Sequence, residues 1–130
     1  MVVRDVHGRL TERRRRIVEI GHSLPDVTSS GDQHICFRVR DRTFAYLLED
    51  HHGDGRMALN CKVERGSNSA IISSNPDRFF FPPYVGPRGW IGLWLDLDDV
   101  DWDEVNELIV DSYRLTAPKR LVALLEQEPH

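Results

Sequence analysis

The sequence reads as an α+β domain. Helix-spaced apolar residues occupy its two ends, period-two alternation fills residues 34–63, and a strand with one aliphatic and one aromatic face follows near residue 90. With 130 residues, 40% of them hydrophobic, and a mean hydropathy of -0.43, one domain over 1–130 can bury a core without disulfide staples. Its ordered part is expected over about 8–125. No apolar run approaches the ~20 residues of a membrane span. The opening MVVRDVHGRL lacks the apolar centre of a signal peptide, so a cytoplasmic monomer without membrane contact is expected.

Leu10, Ile17, Ile20 and Leu24, with Val18 beside them, recur at helical spacing. They predict a first helix over roughly 10–22, with Thr11 as cap and Pro25 as stop. Arg13, Arg14, Arg15 and Arg16 cover a full turn of it. At least one must lean across the apolar stripe on its stem while the others project outward, a pattern commoner in a solvated face than in a phosphate reader. Val27 to Gln33 reads as a polar connector.

From His34 the period changes to two. Ile35, Phe37 and Val39 alternate with His34, Cys36, Arg38 and Arg40, and Asp41-Arg42 offers a two-residue turn into Thr43 to Glu49. That turn places Arg40 opposite Thr43 and pairs Val39 with Phe44, Phe37 with Tyr46 and Ile35 with Leu48 on one apolar face. The other face then carries Arg40, Arg38, Ala45, Cys36 and Leu47. A third strand over Arg56 to Val63 turns Met57, Leu59, Cys61 and Val63 inward and leaves Ala58, Asn60 and Lys62 opposite. His51, His52 and Asp54 in the intervening HHGDG are suitable metal ligands, but neighbours in a Gly-rich loop rarely converge on one ion, and no metal site is expected.

Ser67 to Ser74 is a short helix capped at Ser67 or Asn68 and closed by Asn75-Pro76. Arg78 to Asp96, RFFFPPYVGPRGWIGLWLD, gathers the aromatics, prolines and glycines around a strand. Ile91, Leu93 and Leu95 face one way; Trp90 and Trp94 face the other. Two indoles on one face either pack beneath a cover, for which Phe79 to Tyr84 stands ready, or meet a ligand; packing is the preferred reading. Asp101 caps the next helix with Glu104 three residues on, and Trp102, Val105, Leu108, Ile109 and Ser112 form its inner stripe. Asp96, Asp98, Asp99, Asp101 and Asp103 lack the spacing of a calcium loop, and acids before a helix start already answer to its dipole. A last helix continues or restarts around Pro118 through Leu121, Val122, Leu124 and Leu125, with Lys119 and Arg120 in its first turn and frayed residues after Glu126.

Cys36 and Cys61 sit in strands without CxxC spacing and read as free thiols. An enzyme requires a nucleophile with a base, or paired carboxylates. Cys36 with His34, or Ser112 with Tyr113, are the candidates. Neither shows a third member, and i,i+2 positions on a strand lie ~6.5–7 Å apart, so a non-enzymatic protein without cofactor is expected.

Taken in order, these elements resemble the MmcQ/YjbR family. The resemblance rests on Leu24-Pro25, Phe37-Arg38-Val39 through Phe44-Ala45, and Leu59 with Lys62. It continues through Pro82-Pro83-Tyr84-Val85-Gly86, Gly89-Trp90-Ile91, Ser112-Tyr113 and Ala117-Pro118-Lys119-Arg120-Leu121, so that it spans residues 10–125. It implies a compact α+β fold, an antiparallel sheet with helices mainly on one face, similar to frataxin-like and secretion-chaperone-like folds. It also implies a DNA-binding protein of double-wing shape, with no catalytic residues to carry over. Where the family has Gly-Lys at the hairpin tip this chain has Asp41-Arg42, whose carboxylate weakens a phosphate-binding tip.

The net charge is -4 and the isoelectric point about 5.8, but the charge is uneven. Residues 1–65 hold 12 Lys/Arg against 10 Asp/Glu, and residues 66–130 hold 5 against 11. A polyanion would therefore meet the first half. Arg38, Arg40 and Lys62, with Trp90 and Trp94 if their strand joins the same sheet, would form a basic, aromatic face of the kind that holds single-stranded nucleic acid. Arg13, Arg15, Arg16 and the hairpin-tip Arg42 would instead touch a duplex backbone. Binding through either set is expected to be weak and lost with salt. The other reading is a protein- or peptide-binding adaptor that uses a sheet face, with an unknown protein partner and no nucleic-acid role.

Overall fold

The structure, a computed structural model, describes residues 8–50, 53 and 55–127. His51, His52 and Asp54 lie outside the described residues. The first helix, α1, is Arg9–His22; strands β1 Val27–Ser30, β2 Ile35–Val39, β3 Arg42–Glu49 and β4 Met57–Lys62 follow. Then come α2 Asn68–Ser74, β5 Phe79–Phe80, a 3-10 turn over Gly86–Arg88, β6 Trp90–Trp94, α3 Trp102–Thr116 and α4 Lys119–Gln127. The six strands make one sheet in the order β1-β2-β3-β4-β6-β5, every neighbouring pair antiparallel. No described helix is long and apolar enough to cross a membrane.

Three local expectations are corrected. Helix α1 begins after Gly8 at φ 73, so Thr11 lies inside the helix and is not its cap. Val27 to Ser30 is an edge strand, not a connector, because Val27 to Ser30 pair along Val39 to Cys36 and half-buried residues alternate with exposed ones. The hairpin turn falls one residue early: Arg40 and Asp41, at φ 50 and 65, are its corners, and Val39 faces Arg42. Two left-handed corners make a turn whose twist matches that of the strands. Arg38 then faces Thr43 while Phe37 faces Ala45, so Phe44 bulges out of the ladder. As a result Ala45 and Leu47 turn to the core with Phe37 and Ile35, and Tyr46 joins Cys36 on the opposite face.

The core lies between the sheet and helices α1 and α3. Ile17, Phe37, Phe44, Leu47, Leu59, Ile91, Val105, Ile109 and Tyr113 are all closed to solvent, and the Tyr113 ring meets Phe44 edge-on at 5.7 Å. Burying each such side chain contributes about 1.5–3 kcal/mol. Polar groups within this layer are matched. Tyr113 donates its hydroxyl to Pro25 O at 2.7 Å, tying α3 to the end of α1, and Ser112 Oγ donates to Lys62 O at 2.6 Å or Leu108 O at 2.8 Å. Asp101 caps α3 as expected, accepting from the backbone N–H groups of Asp103 and Glu104. Glu104 does not close a box; its carboxylate pairs with Arg78.

The second face is covered by a loop instead of a helix. Register sets Tyr46, Asn60, Gly92 and Phe80 side by side across β3, β4, β6 and β5. A Cβ at Gly92 would run into the Phe80 ring, so glycine is what lets that ring lie flat on the sheet and stack on Trp94 at 4.1 Å. Gly86 does the same for Phe81, whose ring rests where a side chain would stand. Of the Phe79 to Tyr84 segment, Phe80 thus covers Trp94, whereas Phe79 joins the core beneath the helices and Phe81 and Tyr84 stay exposed.

Candidate nucleic-acid interface

The four consecutive arginines of α1 all have partners. Arg13 is 8% exposed, and its guanidinium donates to Leu95 O and Leu97 O, each at 2.6 Å, and to Asp98 O at 3.2 Å, fastening α1 to the chain leaving β6. Burial lowers its pKa, with the neighbouring Arg9 adding to the effect. This is the arginine that crosses the apolar stripe, and it is closed to a polyanion. Arg14 pairs with Glu49, and Arg15 sits between Glu12 and Glu19, whose carboxylates, Glu12 above all, raise its pKa. Arg16 lies over the Trp102 ring at 4.1 Å. Arg40, at the hairpin corner, pairs with Asp26 at 2.9 Å.

The second face keeps part of the expected set. Arg38 shares the face of Cys36 and donates to Ser30 Oγ at 3.2 Å; Lys62 is half-buried opposite Trp90. Arg42 is exposed beside the hairpin turn. The indoles are not open platforms. Trp90 is 6% exposed with Tyr46 against it at 5.6 Å, and Trp94 is held between Phe80 and the Arg56 guanidinium, 3.7 Å from its ring centre. Arg56 also forms a two-pronged pair with Asp96 at 2.7 and 2.9 Å. Burial pushes the Asp96 carboxyl up, but Arg56 and the Met57 N–H more than offset it and hold the pKa below the ordinary carboxylate value.

Sequence patterns did not reveal two features. Arg65 and Arg88 face one cleft, lined also by Gly66, Asn68, Phe81 and Gly89. Neither has an ion pair with any described residue. Next to it, across the loop, Phe81 and Tyr84 are 54% and 80% exposed, although apolar aromatics of this size usually find cover. The exposed aromatic surface therefore belongs to the loop and not to the strand. The signal available was PPYVGPRG itself, a rigid, turn-rich segment carrying an aromatic and a cation.

The pairs considered for catalysis are not joined. His34 Nδ1 accepts from Glu49 N at 3.3 Å, while Cys36 Sγ lies 3.4 Å from Thr43 Oγ1. Ser112 and Tyr113 bond to backbone carbonyls. Burial pushes the Cys61 thiol up to about 12, which keeps it protonated.

The chain matches the YjbR family model over residues 22–115. The matched span holds most of the resemblance noted in the sequence and stops short of Ala117 to Leu121. No curated protein matches it with significance. Among solved structures, the crystal structure of Deinococcus radiodurans protein DR2400, with domain DUF419, is similar at a TM-score of 0.62 and 19% identity. The match covers 75% of this chain and 72% of that one, and it speaks for the fold. Sheet order, helix placement and the family match agree: the chain belongs to the YjbR family.

Proposed function

We propose that the protein binds nucleic acid, single strands in preference to duplex, weakly and in a salt-dependent way, without catalysing a reaction. One observation carries this reading: Arg65 and Arg88, which lack ion pairs among the described residues, line one cleft at the end of the sheet where β4 leaves and β6 enters, and Lys62, likewise without an ion pair among them, is the last residue of β4. Arg38 adds to them from β2. The acidic Asp96 to Asp103 segment lies past the other end of β6, about 20 Å away for six residues at strand rise. A net negative protein can thus present a locally positive end. Glu64 and Asp111 line a groove nearby on the helical side, which keeps that field modest and the binding weak.

The test is an anisotropy titration with fluorescent single- and double-stranded DNA at low and physiological salt, for the wild type, Arg38→Ala/Lys62→Ala and Arg65→Ala/Arg88→Ala. Each phosphate contact removed is expected to flatten the log K against log salt slope by about 0.7 on a single strand. Absence of binding even at low salt defeats the reading. The exposed Phe81 and Tyr84 favour one other role, a peptide-binding adaptor. That role predicts binding of aromatic peptides that salt leaves unchanged.

A further inference from the structure

Arg65 and Arg88 line one half-open cleft of about 620 Å³, and no carboxylate is among the described residues that line it with them. Both arginines are exposed, and each stands on a turn closed by backbone bonds. Around Arg65 and Gly66, Ser67 N–H donates to Glu64 O at 2.9 Å, and Gly66 takes φ 86, a left-handed corner that suits glycine. Around Pro87 and Arg88, Gly89 N–H donates to Gly86 O at 2.9 Å. Asn68 ties the two turns together: its Nδ2 lies 3.1 Å from Gly86 O and 3.4 Å from Trp90 O, while its Oδ1 accepts from Ser69 N–H at 3.0 Å. The cations are thus carried on backbone that is held in place before anything binds, which reduces what a ligand must order. Phe81 lines the same cleft. Gly86 leaves room for one side of its ring, and 54% of the residue still meets solvent. An exposed aromatic by itself suits an apolar ligand. Beside two cations and no carboxylate it suits an aromatic anion.

We infer that this cleft receives one nucleotide, its phosphate held by Arg65 and Arg88 and its base stacked on the open side of the Phe81 ring. A guanidinium presents a planar fork of donors that matches phosphate oxygens, and every base has a face to lay on an aromatic ring. The volume falls within the ~300–1,000 Å³ of small-ligand sites. The one side-chain amide that lines the cleft, Asn68, is engaged through both its oxygen and its nitrogen, so base edges go unread and bases are distinguished only by how well they stack. The inference rests on the nucleic-acid reading above and names the unit of the polymer that the cleft holds and the ring that holds its base.

The test separates base from phosphate. Adenosine 5′-monophosphate, adenosine and ribose 5-phosphate are titrated against the labelled protein while the backbone amides of Gly66 and Gly89 are followed by NMR. In parallel, a fluorescent oligo(dT) is titrated by anisotropy. The monophosphate is expected to shift both amides and to weaken as salt rises, and adenosine and ribose 5-phosphate, each lacking one of the two contacts, to bind at least about tenfold more weakly. Phe81→Leu, at an exposed position and with apolar bulk kept, should weaken the monophosphate about 5- to 150-fold and leave ribose 5-phosphate unchanged, while Phe81→Tyr should bind like the wild type. Arg65→Ala/Arg88→Ala should weaken both phosphates and leave adenosine unchanged. If the monophosphate shifts neither amide, or Phe81→Leu binds it as the wild type does, the inference is overturned, and the salt-dependent binding of oligo(dT) decides the polymer reading separately. If the monophosphate binds through all three residues and oligo(dT) binds at no salt, the nucleotide site stands and the polymer reading falls. If O-phosphotyrosine shifts the amides and the monophosphate does not, the occupant is a phosphorylated protein side chain and the inference is overturned.

Discussion

The two faces of the sheet handle polar groups in opposite ways. Beneath the helices, Arg13, Ser112, Tyr113 and Thr116 are buried and each is matched to a backbone carbonyl, so polar atoms there hold elements together. Beneath the loop, Asn60 is as deeply buried and its oxygen has no partner among the described residues, while Lys62, Arg65 and Arg88 at that end of the sheet lack carboxylate partners among them. The helical face is where stability is generated, and the loop face is where chemistry is left over. Substitutions on the first should therefore change folding and leave ligand affinity alone. At the cations Lys62, Arg65 and Arg88 beside the second the order should reverse.

The largest effect is expected at Tyr113. Tyr113→Ala empties the centre of the core and removes the bond to Pro25, and should destabilise by about 3–5 kcal/mol in denaturant titrations. Arg13→Met comes next. It keeps the stem but leaves the Leu95 and Leu97 carbonyls without their donor, for about 2–3 kcal/mol. Oligonucleotide affinity of the folded variant should equal that of the wild type. A loss of binding without a loss of stability would put Arg13 back among the phosphate contacts and break the contrast between the faces.

Gly92→Ala tests whether the loop cover is itself structural. The new methyl displaces Phe80 from the sheet, which overpacking data place at about 1–3 kcal/mol, and unstacks Trp94, so the tryptophan emission should shift to the red. A smaller effect is expected from the Arg56–Asp96 pair that closes the other side of Trp94. Because the folded pKa of Asp96 is below its unfolded value near 3.9, its contribution is complete above that pH and disappears as pH falls through the folded value. Arg56 is more than a third exposed, and screening limits the pair to about 1 kcal/mol. Thermal melts of the wild type and Asp96→Asn should differ at pH 6 and converge towards pH 3.

Much of the fold was legible because its elements carry their own period. The stripe of α1, the Asp101 cap and the two-sided Trp90 to Trp94 strand all follow from spacing alone. Edge strand β1 was not, since Val-Thr-Ser-Ser has no core side to announce and becomes a strand only by pairing with β2. The hairpin register was missed by one residue because Arg-Asp corners lack the Asn-Gly signal, and the Phe44 bulge then moved Tyr46 to the other face. The site was less legible for the same reason. Composition locates cations and aromatics, but which arginines already have carboxylates, which indoles lie under a ring and which amide oxygen lacks a donor are properties of tertiary placement.

The smallest expected effect is also the sharpest comparison, because it applies one kind of substitution to both faces. Ser112→Ala removes a buried hydroxyl whose partner stays behind: Lys62 O loses its side-chain donor, and a cost of about 1–2 kcal/mol follows. Asn60→Leu also removes a buried polar group, but Oδ1 has no partner to strand, and the replacement is apolar and of similar shape. Its stability should lie within about 0.5 kcal/mol of the wild type, or above it. Parallel urea titrations decide between the two. If Asn60→Leu is as costly as Ser112→Ala, the amide is already satisfied in the free protein and the loop face is an ordinary second core. If it is neutral or stabilising, Oδ1 adds nothing to the fold, and the two faces differ in what their buried polar groups do.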